Sequence, residues 1–419
     1  MRVLLAAYAA RSHFTAMVPL GQALVAAGHQ VRVASQPALA GAITGTGLTA
    51  VPVGRDHAVS RMLEFRPEIA GRLRTMGMPP FDLAQGPTEA VTWEALTAGY
   101  EGFAVPWLFR LVNEPMLAEL VDFCRAWRPD LVVWEPITLA APVAASVVGA
   151  AHARLLWSVD LFGHLRDRFV RLRDARPAGD RRDALAELLD RWARRYGGAF
   201  GEEMLSGRVT IDQLPPSMRL AGGPDSLPMR YVPYNGTAVV PRWLWDRPER
   251  PRVCLTLGVT DGELYGGSLL PISELLSALA DLDAEIVATL PGAGRDASRR
   301  PLPDNVRVTG YVPLHALATA SDAVVHHAGW GTVCTTAHSG VPQLAIAQRE
   351  FDGPLLARGV AAQGAGLVLD PGELDGDVLR RAVGRLLADP SFREGAAGLR
   401  EEMLAMPSPA EVAARLAEL

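Results

Sequence analysis

The sequence predicts an α/β protein made of two doubly wound domains. Through both halves of its 419 residues, short apolar β-type runs alternate with segments of helical periodicity, as parallel strands joined by crossover helices do. A proline-rich stretch with little periodicity, residues 223–250, separates the halves and predicts a linker. We therefore expect one domain at residues 1–222 and a second at 251–403, followed by a helical tail at 404–419.

The first domain opens with a predicted βαβ unit. Arg2–Ala7 is apolar after its arginine, as a strand buried on both faces should be, and helical periodicity over Phe14–Ala27 ends at Gly28. Gln30–Ala34 then predicts a parallel second strand. Further strands are expected at Leu48–Val53, Leu131–Trp134, Leu155–Val159 and Val209–Asp212, with helices over Trp107–Trp127 and within Leu161–Tyr196.

The second domain repeats this alternation. Its predicted strands are Arg252–Leu257, Ala284–Leu290, Asn305–Thr309, Ala323–Val325, Val341–Ala347 and Leu367–Leu369. Helices are expected over Pro271–Leu282, Ala316–Ser321, Asp375–Ala388, Phe392–Met403 and Ser408–Leu419. Two such domains would place the loops at the carboxyl ends of their strands around a deep cleft, where α/β proteins bind ligands.

Composition and charge exclude several kinds of chemistry. The formal charge of −5 gives no reason to expect a nucleic-acid partner. All 41 basic residues are arginine, which excludes a phosphate-binding lysine, a Schiff-base lysine and a lysine general base. Cys124, Cys254 and Cys334 are too widely separated for a metal site or a disulfide framework, so we expect a reduced, cytoplasmic protein.

The sequence gives no signal for secretion or for a membrane. Its N-terminal apolar run is too short for a signal peptide. The longest uncharged run, Pro136–Ala151, is shorter than the roughly 20 residues that span a bilayer, and it contains prolines. We interpret this run as a buried loop and helix behind a strand.

The stretch Ala323–Gly340 carries the strongest ligand signal. An apolar strand leads into two histidines and a Gly-x-Gly-Thr turn, and small and β-branched residues then continue at helical spacing. Glycines let a backbone approach a ligand, and the first turn of a helix presents N–H groups that favour anions. A diphosphate fits such a site, with the candidate contacts Gly329, Gly331, Thr332, Val333 and His327. The alternative is a tight turn that binds nothing.

His13 is the candidate general base. It lies in a polar loop, Arg11–His13, at the carboxyl end of the first predicted strand. An imidazole with an unperturbed pKa of about 6.5 can accept a proton from a hydroxyl near neutral pH. A base that faces an anchored diphosphate suits an in-line displacement, in which a hydroxyl attacks and the diphosphate leaves. For this residue taken alone, a structural histidine is the alternative.

Apolar side chains in the irregular region 56–106 predict a pocket or lid for a hydrophobic substrate. The alternative is that they cover a small core of their own. Positions near strand ends add further candidates, because α/β active sites gather at that edge. The acceptor-binding candidates are Met62, Phe65, Met76, Met78 and Phe81 in the loops, with Phe14, Glu135 and Asp160 near strand ends.

A set of short motifs is spread over the whole chain. They are Ser12–Phe14, Met17–Leu20, Met229–Gly236, Cys254–Gly258, Pro303–Arg307, Gly310–Leu314, His326–Thr332, Gly340–Gln343 and Pro407–Pro409. Together they resemble the GT-B, family-1 glycosyltransferases of actinobacterial natural-product pathways, and they are similar to the deoxysugar transferases of macrolide and anthracycline biosynthesis. No single motif would carry this resemblance.

The resemblance implies a GT-B fold, with two Rossmann-like domains facing across a cleft and a C-terminal helix packing back toward the N-terminal domain. It implies an inverting, metal-independent transfer of a sugar from a nucleotide diphosphate, usually dTDP, to the hydroxyl of an aglycone. His13 would be the base in an acceptor-binding N-terminal domain. The implied donor-binding residues of the C-terminal domain are Tyr311, Val312 and Leu314 for the thymine edge, Gly258, Thr260, His327, Gly329, Gly331 and Thr332 for the phosphates, and Asp352 for sugar hydroxyls.

Two residues depart from the family pattern. Ala328 stands where the family often has glycine, and Gly353 stands where hexose users usually have glutamine, which fits a deoxysugar donor. Asp281-Leu-Asp283 matches the motif of metal-dependent transferases, but it precedes a strand and we interpret it as a solvated turn. Some relatives need a P450-like auxiliary protein, for which the arginine-rich Leu161–Tyr196 is the expected docking surface. A homodimer is also open.

Two other functions stay open on the sequence. A nucleotide-sugar epimerase or hydrolase would use the same two-domain plan without needing the apolar loops of residues 56–106. A catalytically silent auxiliary protein would need neither His13 nor the diphosphate motif. A NAD-dependent dehydrogenase is excluded, because Ala7–Ser12 lacks the Gly-x-Gly-x-x-Gly turn that should follow the first strand.

Overall fold

The computed structural model divides the chain into two compact α/β units. It describes residues 1–57, 59, 78–82, 86–246, 248–257, 272–289, 303–347 and 351–419. Unit 1 comprises Met1–Leu214, Leu220–Arg230 and Pro407–Leu419, and unit 2 comprises Pro215–Arg219 and Tyr231–Met406. Each unit is built on a parallel sheet of its own.

The sheet of unit 1 has seven strands in the described part of the chain. They are β1 (Arg2–Ala6), β2 (Gln30–Ser35), β3 (Thr49–Pro52), β4 (Leu131–Trp134), β5 (Ala151–Leu155), β6 (Val209–Asp212) and β7 (Leu227–Pro228). Their order is β3-β2-β1-β4-β5-β6-β7, and β1 pairs in parallel with both β2 and β4. The strand order therefore reverses between β1 and β4, which is the switch point where open α/β sheets bind ligands.

Helices connect these strands, because parallel neighbours need crossover connections. In unit 1 they are α1 (Arg11–Thr15), α2 (Val18–Ala26), α3 (Ala40–Thr44), α4 (Trp93–Gly99), α5 (Arg110–Trp127), α6 (Ala140–Val148), α7 (Leu161–Asp174), α8 (Ala184–Arg195) and α9 (Glu203–Ser206). A π-helix, Tyr100–Phe109, joins α4 to α5 and contains Pro106. The apolar side chains of β1 from Val3 to Ala6 are fully buried, as a central strand requires.

Unit 2 has the same winding. Its described strands are β8 (Arg252–Thr256), β9 (Glu285–Thr289), β10 (Val306–Thr309), β11 (Ala323–His326), β12 (Gln343–Ile346) and β13 (Gly366–Leu369), in the order β10-β9-β8-β11-β12-β13. Its helices are α10 (Ile272–Leu279), α11 (Leu314–Thr319), α12 (Trp330–Ser339), α13 (Gly353–Ala362), α14 (Gly376–Ala388) and α15 (Ser391–Ala405). The reversal between β8 and β11 places the segment after β11 at the switch point of this sheet.

The last helix, α16 (Pro409–Leu416), packs on α2 and belongs to unit 1. The predicted linker, residues 223–250, is shared between the units, and β7 lies within it. Among the described residues, no helix is long and apolar enough to cross a membrane.

Two parallel, doubly wound sheets confirm the predicted fold class, but one predicted strand is wrong. The structure has a strand at Ala151–Leu155, whereas the sequence pattern predicted one at Leu155–Val159. Two polar residues interrupt the apolar run of the observed strand, so the pattern did not indicate it. One of them, Arg154, is fully buried and donates to Asp160 Oδ2 at 2.6 Å and to Thr210 Oγ1 at 3.0 Å. A buried charge is tolerated in a central strand when it is paired in this way.

Several predicted boundaries differ as well, two of them near the candidate site and the π-helix. The predicted loop Arg11–His13 lies inside α1. The α-helix predicted to begin at Trp107 begins at Arg110, because the three residues before Arg110 belong to the π-helix. The short helix α1 is followed by Pro19 at the second position of α2, which favours the break between them. The sequence patterns therefore located the elements better than their ends.

Candidate active site

His13 meets a buried carboxylate at the switch point of unit 1. It lies in α1, directly after β1, and its Nδ1 is 2.9 Å from Glu135 Oε2. Glu135 directly follows β4, the parallel neighbour of β1, so sheet order joins two residues that are 122 positions apart. A carboxylate at Nδ1 favours the tautomer with its proton there, and Nε2 is then the nitrogen that can accept a proton.

Glu135 is fully buried and richly hydrogen-bonded. Its Oε2 also accepts from the backbone N–H of Ile137 at 3.1 Å and from Trp157 Nε1 at 2.8 Å, while the Thr138 hydroxyl donates to Oε1. Burial raises the pKa of Glu135, but His13 and these donors outweigh burial and hold the pKa below its ordinary value. Glu135 is therefore a carboxylate near neutral pH, and it stabilises positive charge on His13.

Two aromatic rings lie against the His13 imidazole. The centroid of Trp157 is 3.7 Å from that of His13, and Tyr8 contacts His13 edge-on with centroids 4.8 Å apart. The Tyr8 hydroxyl is 3.4 Å from His13 Nε2, and the Tyr8 backbone N–H donates to Thr138 Oγ1 at 2.7 Å. Because Thr138 binds Glu135, these contacts close a ring of hydrogen-bonded groups around the histidine.

In unit 2, a second histidine fixes the turn that follows β11. His326 is fully buried, with Nε2 2.8 Å from Gln343 Oε1 on the neighbouring strand β12. Its Nδ1 accepts from the backbone N–H of Ala328 at 3.0 Å. Burial lowers the pKa of His326 to about 3, so this side chain is neutral. Its role is to set the backbone path between β11 and α12.

That backbone path is strained at Ala328. The residue has φ 68°, in the left-handed region that costs a non-glycine residue about 1–2 kcal/mol. Its methyl group is buried in a cluster with Ala345, Ala347 and Ala357, which offsets part of this cost. Glycine, which the family often has at this position, would adopt this φ without strain.

The turn brings most of the predicted phosphate contacts to the first turn of α12. Gly329 is the N-cap in an extended conformation, and a Cβ added to it would lie 2.7 Å from His327 Nε2, so the His327 ring lies over this glycine. A Cβ added to Gly331 would meet nothing within 4 Å. The Thr332 N–H donates to the Gly329 carbonyl at 3.0 Å.

Val333 is the predicted donor that lies furthest along α12. Its N–H donates to the Gly329 carbonyl at 3.0 Å, and its side chain is fully buried. The first four N–H groups of a helix, counted from the N-cap, lack partners within the helix, and Val333 is the fifth. Its amide is therefore paired in this structure, as that of Thr332 is, and its role as a phosphate donor stays a prediction.

Comparison with known proteins identifies the family. Two family models, the N-terminal and C-terminal domains described as Erythromycin biosynthesis protein CIII-like, match residues 22–258 and 273–419. The chain belongs to this family. It is a glycosyltransferase, as the motifs indicated, and its two α/β units are those of the GT-B fold.

Individual relatives cover the chain from end to end. The chain is 48% identical over 420 residues to 10-deoxymethynolide desosaminyltransferase of Streptomyces venezuelae, with 100% of this chain and 97% of the relative covered. It is 46% identical over 424 residues to TDP-daunosamine transferase DnrS of Streptomyces peucetius, with 100% and 97% covered. The glycosyltransferase VinC, solved in complex with dTDP, has a TM-score of 0.87 at 40% identity and coverage of 100% and 99%.

The remaining donor candidates of this glycosyltransferase also follow strands of unit 2. After β10, Tyr311 is exposed, Val312 is buried in the core and Leu314 begins α11. After β12, Asp352 is the N-cap residue of α13 and is almost wholly buried. Parallel strands end at one edge of a sheet, so these segments lie at the same edge as the β11–α12 turn. Gly258 and Thr260 lie outside the described residues.

Several predicted acceptor contacts are instead parts of the interior. Phe14 and Phe81 are buried, and Phe81 packs against Tyr100, Phe109 and Phe162 beside a cavity of about 20 Å³, room for roughly one water molecule. The alternative, that these loops cover a core of their own, therefore holds for Phe81. Met78 is half-buried, and Met62, Phe65 and Met76 lie outside the described residues.

The two acidic acceptor candidates have partners within unit 1. Asp160 caps α7 through the backbone N–H of Gly163 at 2.9 Å and pairs with buried Arg154. Glu135 has no exposed surface and binds His13. Both residues do follow strands, but both are turned into the protein because each has a cationic or donor partner there.

The arginine-rich segment 161–196 is occupied largely by internal contacts. Arg166 is mostly buried and donates to both oxygens of Asp183 and to Glu202. Arg168 donates to the backbone carbonyl of Val91 at 3.1 Å, which ties α7 to the segment before α4. Much of the positive charge therefore stabilises unit 1.

Sequence reasoning missed the residues that position His13 and the residue that fixes the turn carrying His327. Trp157 and Thr138 bind Glu135, and His326 sets the turn of α12. A weak signal existed for the first two, because both lie within a few residues of a strand end. Trp157 and Thr138 belong to no residue pattern with a recognised spacing. His326 lies in a motif, but its contact with Gln343 is seen only in the folded sheet.

Proposed function

We propose that this glycosyltransferase moves a deoxysugar from a dTDP-sugar to a hydroxyl of a polyketide-type aglycone, with inversion and without a metal ion. The pairing of His13 with the buried carboxylate of Glu135 carries the proposal, because it prepares Nε2 to accept a proton. The named substrates of the relatives, a desosaminyltransferase for 10-deoxymethynolide and a TDP-daunosamine transferase, support the sugar and acceptor classes. The VinC complex with dTDP supports the nucleotide.

The proposed reaction is a single displacement. The acceptor hydroxyl gives its proton to His13 Nε2, and its oxygen forms a bond to the anomeric carbon of the donor. The bond from that carbon to the diphosphate breaks, and its electron pair leaves with the diphosphate. Glu135 stabilises the imidazolium that results, and general-base help of this kind typically contributes about 10²–10⁴-fold. Attack from the face opposite the leaving group inverts the anomeric centre.

We assign the leaving diphosphate to the first turn of α12. His327, Gly329, Gly331 and Thr332 lie together there, and the positive end of the helix dipole favours an anion. Neutral His326 supports this assignment because it fixes the approach of the backbone without adding a charge of its own. Fixed N–H dipoles stabilise charge as it develops on the leaving group.

Transfer without a metal ion stays part of the proposal. The aspartate pair that matches the motif of metal-dependent transferases is engaged by arginine side chains. Asp281 and Asp283 are exposed, and they pair with Arg380 at 3.2 Å and with Arg250 at 3.3 Å. We expect transfer to persist in a chelator such as EDTA.

His13→Ala tests the proposal. We expect turnover to fall by at least about 100-fold while the affinity for dTDP, measured by calorimetry, stays the same. A panel of dTDP-sugars and polyketide aglycones, analysed by mass spectrometry, identifies the product. A glycosylated aglycone supports the transferase, whereas free sugar or an isomerised nucleotide sugar would support the hydrolase or epimerase. A variant with full turnover would remove His13 from the mechanism.

We also propose that an auxiliary protein, where one is needed, docks on the outer face of α8. Arg191 and Arg195 are exposed there, and no ion pair holds either of them among the described residues. Reversing both charges should leave the intramolecular pairs of Arg166 intact and abolish activation by the helper. Unchanged activation would refute docking at this face. Whether the protein forms a homodimer is a separate question, which sedimentation of the free protein would test.

A further inference from the structure

Trp157 contacts both His13 and Glu135, the pair on which the proposed function rests. Its ring centroid lies 3.7 Å from that of His13, with an angle of 40° between the planes. Its Nε1 donates to Glu135 Oε2 at 2.8 Å, and this is the same oxygen that lies 2.9 Å from His13 Nδ1. One side chain therefore covers the imidazole and binds its counter-ion at the same time.

Each contact has a separate electrostatic effect on a protonated histidine. An aromatic face attracts a nearby cation, and it does so more strongly where water is excluded. The indole N–H, by contrast, donates to the same carboxylate oxygen as His13 does, and so it reduces the attraction of Glu135 for the imidazolium. The ring contact thus favours the imidazolium, and the hydrogen bond moderates the pull of Glu135 on it.

We propose that Trp157 is a positioning residue for sugar transfer, which holds the Glu135 carboxylate in place and stabilises His13 in the protonated form that arises during the reaction. The inference rests on the proposed role of His13 as the base. Trp157 acts through His13 and Glu135, and it takes no proton itself.

The other groups around His13 do not supply this effect. Burial raises the pKa of Tyr8, whose hydroxyl lies 3.4 Å from Nε2, so Tyr8 stays neutral. Burial also lowers the pKa of His57, whose ring lies 5.3 Å from that of Tyr8, so His57 adds no positive charge near neutral pH. Glu135 is the charged group in contact with His13, and the Trp157 ring is the face that covers the imidazole.

Two substitutions separate the ring from the hydrogen bond. Trp157→Phe keeps an aromatic face and loses the N–H, while Trp157→Leu loses both. We expect kcat of Trp157→Leu to lie about tenfold or more below that of Trp157→Phe, because the protonated base loses its aromatic cover. The measurement is kcat and kcat/KM as a function of pH, with the donor saturating.

The pH profile gives a readout that mere loss of structure would not produce. Transfer needs His13 unprotonated, so a group that stabilises the protonated form moves the acid limb of kcat/KM to higher pH. Trp157→Leu should therefore have its acid limb about half a pH unit or more below that of Trp157→Phe. The acid limb of Trp157→Phe should lie at a higher pH than that of the wild type, because Glu135 then has one hydrogen-bond donor fewer.

Trp192→Phe is the matched control. Trp192 is a buried indole of α8 in the same unit, and among the described residues it makes no ring contact or hydrogen bond with His13 or Glu135. Its loss should therefore lower stability without moving the acid limb. If Trp157→Leu does not fold, the acid limb of Trp157→Phe is compared with those of the wild type and of Trp192→Phe. A limb at higher pH than both supports the inference, and a limb at the same pH overturns it. Superimposable profiles for both Trp157 variants and the wild type would overturn the inference.

The outcome also distinguishes this inference from the proposed function. Loss of turnover in His13→Ala together with unchanged Trp157 variants would leave the base in place and remove only the role of Trp157. Full turnover in His13→Ala would overturn both.

Discussion

Replacing Glu135 with glutamine removes the negative charge beside His13 and little else. The side chains have the same shape, and the glutamine oxygen can accept from His13, Ile137 and Trp157 as Oε2 does. The new amide would face Thr138 Oγ1, a hydroxyl that can accept as well as donate. We therefore expect Glu135→Gln to fold.

The expected loss of turnover follows from the burial of this carboxylate. Because Glu135 has no exposed surface, solvent does not screen its interaction with an imidazolium at 2.9 Å. Losing one preorganised electrostatic contact to a charge that forms in the transition state costs about 2.7–4 kcal/mol, or about 10²–10³-fold in kcat. The assay is kcat and KM for the acceptor at saturating donor, with dTDP affinity as the control for folding. A kcat within about threefold of the wild type would refute the reasoning.

The same substitution predicts a change in acid stability. Because the folded pKa of Glu135 lies below its ordinary value of 4.5, the carboxylate contributes stability above that pH, and the contribution is lost as pH falls through the folded pKa. Glu135→Gln should therefore unfold at a temperature that depends less on pH below about 4.5 than the wild type does. Parallel curves for the two proteins would contradict the assigned shift.

The remaining predictions concern the α12 turn and the arginine network. Gly331→Ala adds a methyl group to open space and should keep stability, yet lower dTDP affinity by at least about tenfold if the diphosphate lies there; unchanged calorimetric affinity would refute that site. Ala328→Val should destabilise unit 2 by about 2 kcal/mol in urea unfolding, because a β-branched residue would sit at φ 68°, whereas Ala328→Gly should stay within about 1 kcal/mol of the wild type. Arg166→Ala should cost about 3–5 kcal/mol, because it leaves Asp183 buried without its main partner, and exposed Arg171→Ala should change stability by less than about 1 kcal/mol. Equal effects of the two arginine substitutions would contradict the assigned network.

Local patterns in the sequence determined most of the elements of this protein. Strands such as Leu131–Trp134 are apolar runs in the sequence because they are buried on both faces. The glycine turn after β11 predicts a ligand site because glycines let a backbone approach a ligand. The motifs of the chain were enough to indicate its family, and with it the fold and the transfer of a sugar. His13 also stood out, because a histidine directly after the first strand lies at the ligand-binding edge.

Only the tertiary structure decided which residues hold these groups. Glu135 pairs with His13 because β4 lies beside β1, and that neighbour relation depends on strand pairing that no local period records. The same cause places Gln343 beside His326, through the pairing of β12 with β11. Where a polar side chain follows a strand, its sequence position gives the edge of the sheet. Whether it faces a ligand, as proposed for His327, or turns inward to a partner, as Asp160 does, depends on residues brought there by the rest of the fold.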